Sequence, residues 1–137
     1  MSNFVKIPSG GSGEYVKAAE VEGRTLLVEP KGFIPQQENP FEPGKYRDVG
    51  VADVTVFGPD FKVENVLESA KFTNSVLANT VGDVYKGSGD GAMFVGVVTK
   101  PAGKRYYNFS SVSPAVEEKI AEYVASRNAD FDALLDD

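Results

Sequence analysis

Residues 47–57, RDVGVADVTVF, set β-formers against other residues with a period close to two. Successive side chains of a strand point to opposite faces, so Ala52, Val54 and Val56 face one way and Val51, Asp53, Thr55 and Phe57 the other. A sheet is therefore the centre of the fold. Arg24 to Lys31, RTLLVEPK, reads as the strand before it, limited by Pro30 to an edge or an end. Gly58-Pro59-Asp60 turns the chain into a third strand over Lys62 to Ala70, although VLESAK also fits a helix.

The last two strands come from residues 91–112, GAMFVGVVTKPAGKRYYNFSSV. An apolar run from Met93 to Thr99, a tight Lys-Pro-Ala-Gly-Lys-Arg connection and an aromatic run of Tyr106, Tyr107 and Phe109 describe a β-hairpin. Residues 32–46, with three prolines and two glycines, are expected to form a long loop. Its Phe33, Ile34 and Phe41 must tuck down or meet a ligand, and tucking down is the commoner fate. A short helix is expected over residues 73–82, capped by Thr73 or Asn74, striped by Val76, Leu77 and Val81, and closed by Gly82. Ser113 and Pro114 open a final helix whose Val116, Ile120, Tyr123 and Val124 should pack on the sheet. The glycine-rich residues 87–91 lead into a strand rather than a helix, which argues against a phosphate-cradling loop.

Residues 1–14 have the composition of a flexible arm, residues 15–127 that of one domain, and residues 128–137, NADFDALLDD, that of an acidic tail. No apolar run approaches the roughly 20 residues a membrane span needs, and residues 1–15, with one lysine and no apolar core, are not expected to act as a secretory signal. Zero cysteines suit an intracellular, cytoplasmic protein. With no histidine either, the usual zinc sites and Ser-His or Cys-His catalysis are unavailable. A non-enzyme with no metal and no cofactor is therefore expected.

The net charge of −6 is unevenly spread. From Ser113 onward seven acids face two bases, which leaves thirteen acids and twelve bases, of twenty and fourteen, in residues 1–112. Overall charge is then a poor guide to the charge of a binding face.

The order strand, long loop, strand, strand, short helix, strand, tight loop, strand, helix is that of the five-stranded OB barrel. There a helix between the third and fourth strands plugs the barrel, and the first-second and fourth-fifth loops flank a ligand groove. On that assignment Lys31, Lys45, Arg47, Lys100, Lys104 and Arg105 converge on one cleft. Basic residues beside aromatics suit a single strand of nucleic acid, since phosphates meet point charges and unstacked bases meet π faces. Phe33, Tyr46, Phe57, Tyr106 and Tyr107 are the candidate stacking residues. Unless a bulge intervenes, alternation lets only one of Tyr106 and Tyr107 face the groove, and it does not say which.

VENVLESAKFTNSVLANTVGD followed by MFVGVVTKPAGKRYYNFSSVSPAVEEKIAEYV resembles the small OB-fold replication-associated proteins of tailed bacteriophages, especially those of actinobacteria, commonly described as single-stranded-DNA-binding. The resemblance covers roughly residues 22–127 and implies binding of single-stranded DNA, without strong sequence preference, in phage replication or recombination within the host cytoplasm. A tryptophan is expected near the last strand, where Tyr107 or Phe109 stands instead. The end of the chain resembles the acidic, partly apolar termini by which bacterial and phage single-strand-binding proteins recruit replication or recombination partners. That resemblance implies partner contacts for Asp130, Phe131, Asp132, Leu134, Leu135, Asp136 and Asp137. A solvated terminus or a last packed helical turn is the structural alternative.

Two rival functions are open to these residues. One is a structural or adaptor β-domain of a phage that binds no nucleic acid. The other is a hydrolase using carboxylates such as Asp48 and Asp53 around a hard cation, against which their odd spacing sends them to opposite faces of a strand.

Overall fold

The alternating segments become neighbours in one sheet. The computed structural model describes residues 15–39, 41–88 and 91–135, with side chains described as far as Arg127. Strands β1 (Thr25–Glu38), β2 (Tyr46–Phe57), β3 (Val63–Phe72), β4 (Phe94–Thr99) and β5 (Asn108–Ser110) pair antiparallel in the order β3-β2-β1-β4-β5. Three helices, α1 (Ala18–Val21), α2 (Ser75–Ser88) and α3 (Pro114–Leu135), complete the fold. The protein is mainly β, as expected, but the sheet is open where a closed barrel was expected. β5 is three residues long and pairs only with β4, so it offers β3 no ladder.

The segment ahead of β1 crosses the resulting seam. Tyr15 bridges to Lys71 of β3, with the Val16 N–H donating to the Lys71 carbonyl at 2.8 Å. Seven residues on, Glu22 bridges to Val98 of β4, and the Gly23 N–H donates to the Val98 carbonyl at 2.7 Å. Val16, Ala18 and Val21 enter the core between these two fastenings. The arm expected over residues 1–14 lies outside the described residues.

The inner face of the sheet carries the main core, in which Leu26, Val28, Ala52, Val54, Ala70 and Phe72 meet Leu77, Ala78 and Val81 of α2. Ala52, Val54 and Val56 thus share the face that alternation assigned them. Phe72 and Phe109 meet edge to face across the seam, with ring centroids 5.7 Å apart. α2 sits close because two glycines make room. A Cβ on Gly50 would lie 2.9 Å from the Ala78 carbonyl oxygen, and one on Gly82 would strike the Phe33 ring. On the outer face Leu27, Phe57 and Ile120 are buried together, with Val95, Val116, Tyr123 and Val124 around them. α3 is held there by the expected cap: the Val116 N–H donates to the Ser113 hydroxyl at 3.3 Å.

Residues 32–46 are not the long loop expected. β1 runs on through Pro30 and Pro35 to Glu38, and only residues 39–45 turn. The prolines are tolerated because β4 pairs with β1 only from Thr25 to Val28, so the missing N–H groups interrupt no ladder on that edge. Register shifts at Pro30/Gly32 and Ile34/Gln37 absorb the irregular residues as bulges. The third strand runs over Val63–Phe72, which settles the ambiguity of VLESAK.

Candidate nucleic-acid interface

Two groups of cationic and aromatic side chains stand on this frame. The first lies at the β1–β2 turn. That turn is tied by its own backbone, with the Asn39 N–H on the Lys45 carbonyl at 2.8 Å, and by the Phe41 N–H donating to Asn39 Oδ1 at 2.9 Å. Phe41 is left 76 % exposed at the tip, presented rather than tucked down. Its ring meets that of Tyr15 at 6.2 Å, and Arg47 Cζ and Lys71 Nζ each stand 5.6 Å from the Tyr15 centroid. Tyr46, 60 % exposed, and Lys45 flank the turn. Among the described residues neither Arg47 nor Lys71 is in a salt bridge. Their charges are held by π faces and are available to phosphate.

The second group is the β4–β5 loop, residues 100–107, longer than expected because Tyr106 and Tyr107 precede the strand. The Thr99 hydroxyl clamps its base, donating to Asn108 Oδ1 at 2.6 Å and lying 2.7 Å from the Ser110 hydroxyl. Gly103, at φ 75°, takes the left-handed position of a turn closed by the Lys104 N–H on the Pro101 carbonyl. Lys100, Lys104 and Arg105 are exposed. The two tyrosines divide although both precede the strand: Tyr107 packs against the core with Lys100 Nζ 5.6 Å from its centroid, and Tyr106 is 41 % exposed.

Several expected contributors are committed elsewhere. Phe57 is 1 % exposed beneath α3, edge to face with Tyr123 at 5.3 Å, so no base can reach it. Phe33 packs over Gly82, with Lys86 Nζ 4.5 Å from its centroid. Lys31 pairs with Asp53 at 3.7 Å. The six cations do not meet in one cleft: Lys45 and Arg47 stand at the far end of β1, Lys100, Lys104 and Arg105 beyond its start, and Lys31 between.

Sequence reasoning missed Tyr15 and Lys71. Both look ordinary locally, since Tyr15 stands at the end of a glycine-rich stretch and Lys71 on a weakly signalled strand. Only the bridge between them creates the site. Asp48 and Asp53 also have work the sequence concealed. Asp48 Oδ1 accepts from the Gln36 backbone N–H at 3.0 Å and from Gln36 Nε2 at 3.1 Å, and Asp53 Oδ1 accepts from the Ser69 N–H at 2.8 Å. Gln36 and Ser69 have φ of 51° and 50°, so each carboxylate secures a left-handed residue in a neighbouring strand's bulge. No cluster of three potential metal ligands occurs among the described residues.

The acidic residues of the chain end continue α3, whose backbone is helical to Leu135. The side chains of Asp130, Phe131, Asp132, Leu134 and Leu135, and all of Asp136 and Asp137, lie outside the described part. No described helix is long and apolar enough to cross a membrane. Comparison of the chain with family models, with curated proteins and with solved structures finds no match.

Proposed function

We propose that the protein binds single-stranded DNA, without strong sequence preference, on the surface that carries Tyr15, Phe41, Arg47 and Lys71, and that it serves phage DNA replication or recombination. The carrying observation is the exposed Phe41 ring set against Tyr15, itself attended by two cations. An unstacked base can lie on Phe41 or Tyr46 while Arg47 and Lys71 take the flanking phosphates. Reading of base edges is not required, because every base has a π face.

The strand order lends support. β3-β2-β1-β4-β5 is the order of an OB barrel opened between its third and fifth strands, with α2 in the place of the plugging helix. The fold is then an OB derivative in which residues 15–22 cross the seam left by a short β5. Recruitment of replication or recombination proteins by acidic residues 130–137 belongs to the same proposal.

The test is fluorescence anisotropy of labelled oligo-dT, with the matching duplex alongside, over a range of salt. Binding to the single strand is expected, weakening with a log–log salt slope of about 0.7 per phosphate contacted. Phe41→Ala should cost roughly 1–3 kcal/mol of binding. A folded protein that binds no oligonucleotide at low salt returns the choice to the structural or adaptor reading.

A further inference from the structure

The two cationic–aromatic groups lie at opposite ends of β1, yet residues 15–22 join them by a shorter route. Tyr15 belongs to the first group and is fastened to β3 at Lys71. Glu22 is fastened to β4 at Val98, two residues before Lys100 of the second. The chain between them includes the four-residue helix α1. At about 3.5 Å per extended residue and 1.5 Å per helical one, Tyr15 and Glu22 stand no more than about 20 Å apart.

The surface between them is unlike either end. A cleft of about 640 Å³ lies along this segment and the free edge of β3, lined by Lys17, Glu20, Arg24, Glu64 and apolar residues including Val56 and Leu67. Arg24 is matched to Glu64 at 3.4 Å, and Glu20 sets a second negative charge beside Lys17. The cleft is therefore charge-balanced, with little net pull on phosphate, while the groups at its ends carry the accessible cations and exposed rings. The short route brings both groups within the reach of one strand, and the neutral middle argues against a continuous basic groove.

We propose that the single strand is held at two separate subsites, the Tyr15–Phe41–Arg47–Lys71 group and the Lys100–Lys104–Arg105–Tyr106 loop, and crosses the seam between them without tight contact. This rests on the single-strand-binding reading and adds to it a bipartite footprint. A short strand occupies the first subsite alone. A strand long enough to cross engages the second as an intramolecular event, so affinity rises by more than the added length explains.

The experiment is a length series of oligo-dT, from dT4 to dT20, titrated into the wild-type full chain and the exposed-loop variant Lys104→Ala/Arg105→Ala, with circular dichroism to confirm that the variant is folded. Wild-type affinity should step up at least about tenfold over a narrow range of lengths. The loop variant should lose that step while binding the shortest oligonucleotides within about twofold of wild type. Its salt slope should fall by about 1.4 on the long strand, from two lost contacts of 0.7 each, and stay unchanged on the short one. Equal weakening at all lengths would show one merged groove, and a silent variant would show that the loop takes no part; either overturns the bipartite footprint while leaving single-strand binding intact. Absence of binding at every length overturns both.

Discussion

β1 is two strands in one. From Thr25 to Val28 it lies between β2 and β4, and Leu26, Leu27 and Val28 are all buried, as is Pro30 just beyond them. From Lys31 to Glu38 it pairs with β2 alone, slips register, and exposes Ile34, Pro35 and Gln36. The first half is covered on both faces, by α2 and the seam segment within and by α3 without, so apolar burial dictates its side chains. The second half is an arm. Its Ile34/Gln37 bulge is held by Asp48 and its tip by a self-bonded turn, which leaves Phe41 and Tyr46 exposed.

The largest effect should separate the halves directly. Leu26→Ala leaves a cavity in a site with 0 % exposure and should cost about 2–5 kcal/mol. Ile34→Ala, at 37 % exposure on the arm, should stay within about 0.5 kcal/mol. Denaturant melts of both would break the comparison if the two losses were alike.

Glycines sharpen it next. Gly50 faces α2, and a Cβ there meets the Ala78 backbone at 2.9 Å; around Gly32 on the arm nothing lies within 4 Å. Gly50→Ala should therefore destabilise by about 1–3 kcal/mol through overpacking. Gly32→Ala should be neutral or gain up to about 1 kcal/mol by restricting the unfolded chain. Thermal unfolding distinguishes the two, and a Gly50→Ala protein of full stability would show that α2 can back away.

What could be read in advance follows the same division. Alternation in residues 47–57 and the apolar run of Met93 to Thr99 placed β2 and β4 because burial governs those side chains. Ser113 and Pro114 located the start of α3 for a local reason, the cap. Residues 32–38 misled, because prolines and glycines signal a loop wherever the pairing of the other edge is unknown. The open seam was hidden as well. It depends on how many residues β5 spares for pairing and on a bridge from Tyr15 to Lys71, and neither leaves a periodic trace. Of the expected contact residues, Tyr46, Arg47, Lys104, Arg105 and Tyr106 are presented to solvent to differing degrees, whereas Phe57 is spent on α3. A strand pattern says which face a side chain takes, not whether a helix will cover that face.

Bulge support comes third in size. Asp53→Ala removes the acceptor of the Ser69 N–H and the partner of Lys31, and should cost about 1 kcal/mol. Asp53→Asn keeps an oxygen for Ser69 and should lose less. If either variant abolished a divalent-dependent hydrolysis while remaining folded, the carboxylates would be catalytic and the structural role secondary.

The smallest effect belongs to the ion pair beside the junction of the two halves. The two terminal guanidinium nitrogens of Arg127 donate to Glu29, each at 3.1 Å, and this hydrogen bonding holds the Arg127 pKa above its ordinary value against the opposing effect of burial. A raised arginine pKa contributes stability that is complete below the unfolded value and lost only as pH climbs through the folded one. Both lie far above neutrality, so the arginine's side of the pair should not change across the neutral and mildly alkaline range. Salt is the better lever. The side chains are 35 % and 18 % exposed, so Arg127→Gln should cost no more than about 1 kcal/mol, and the cost should shrink as ionic strength rises. A loss that is large and indifferent to salt would mean that the Arg127 stem packs α3 onto the sheet, and that the outer cover of the first half of β1 extends past Val124 through apolar contact rather than charge.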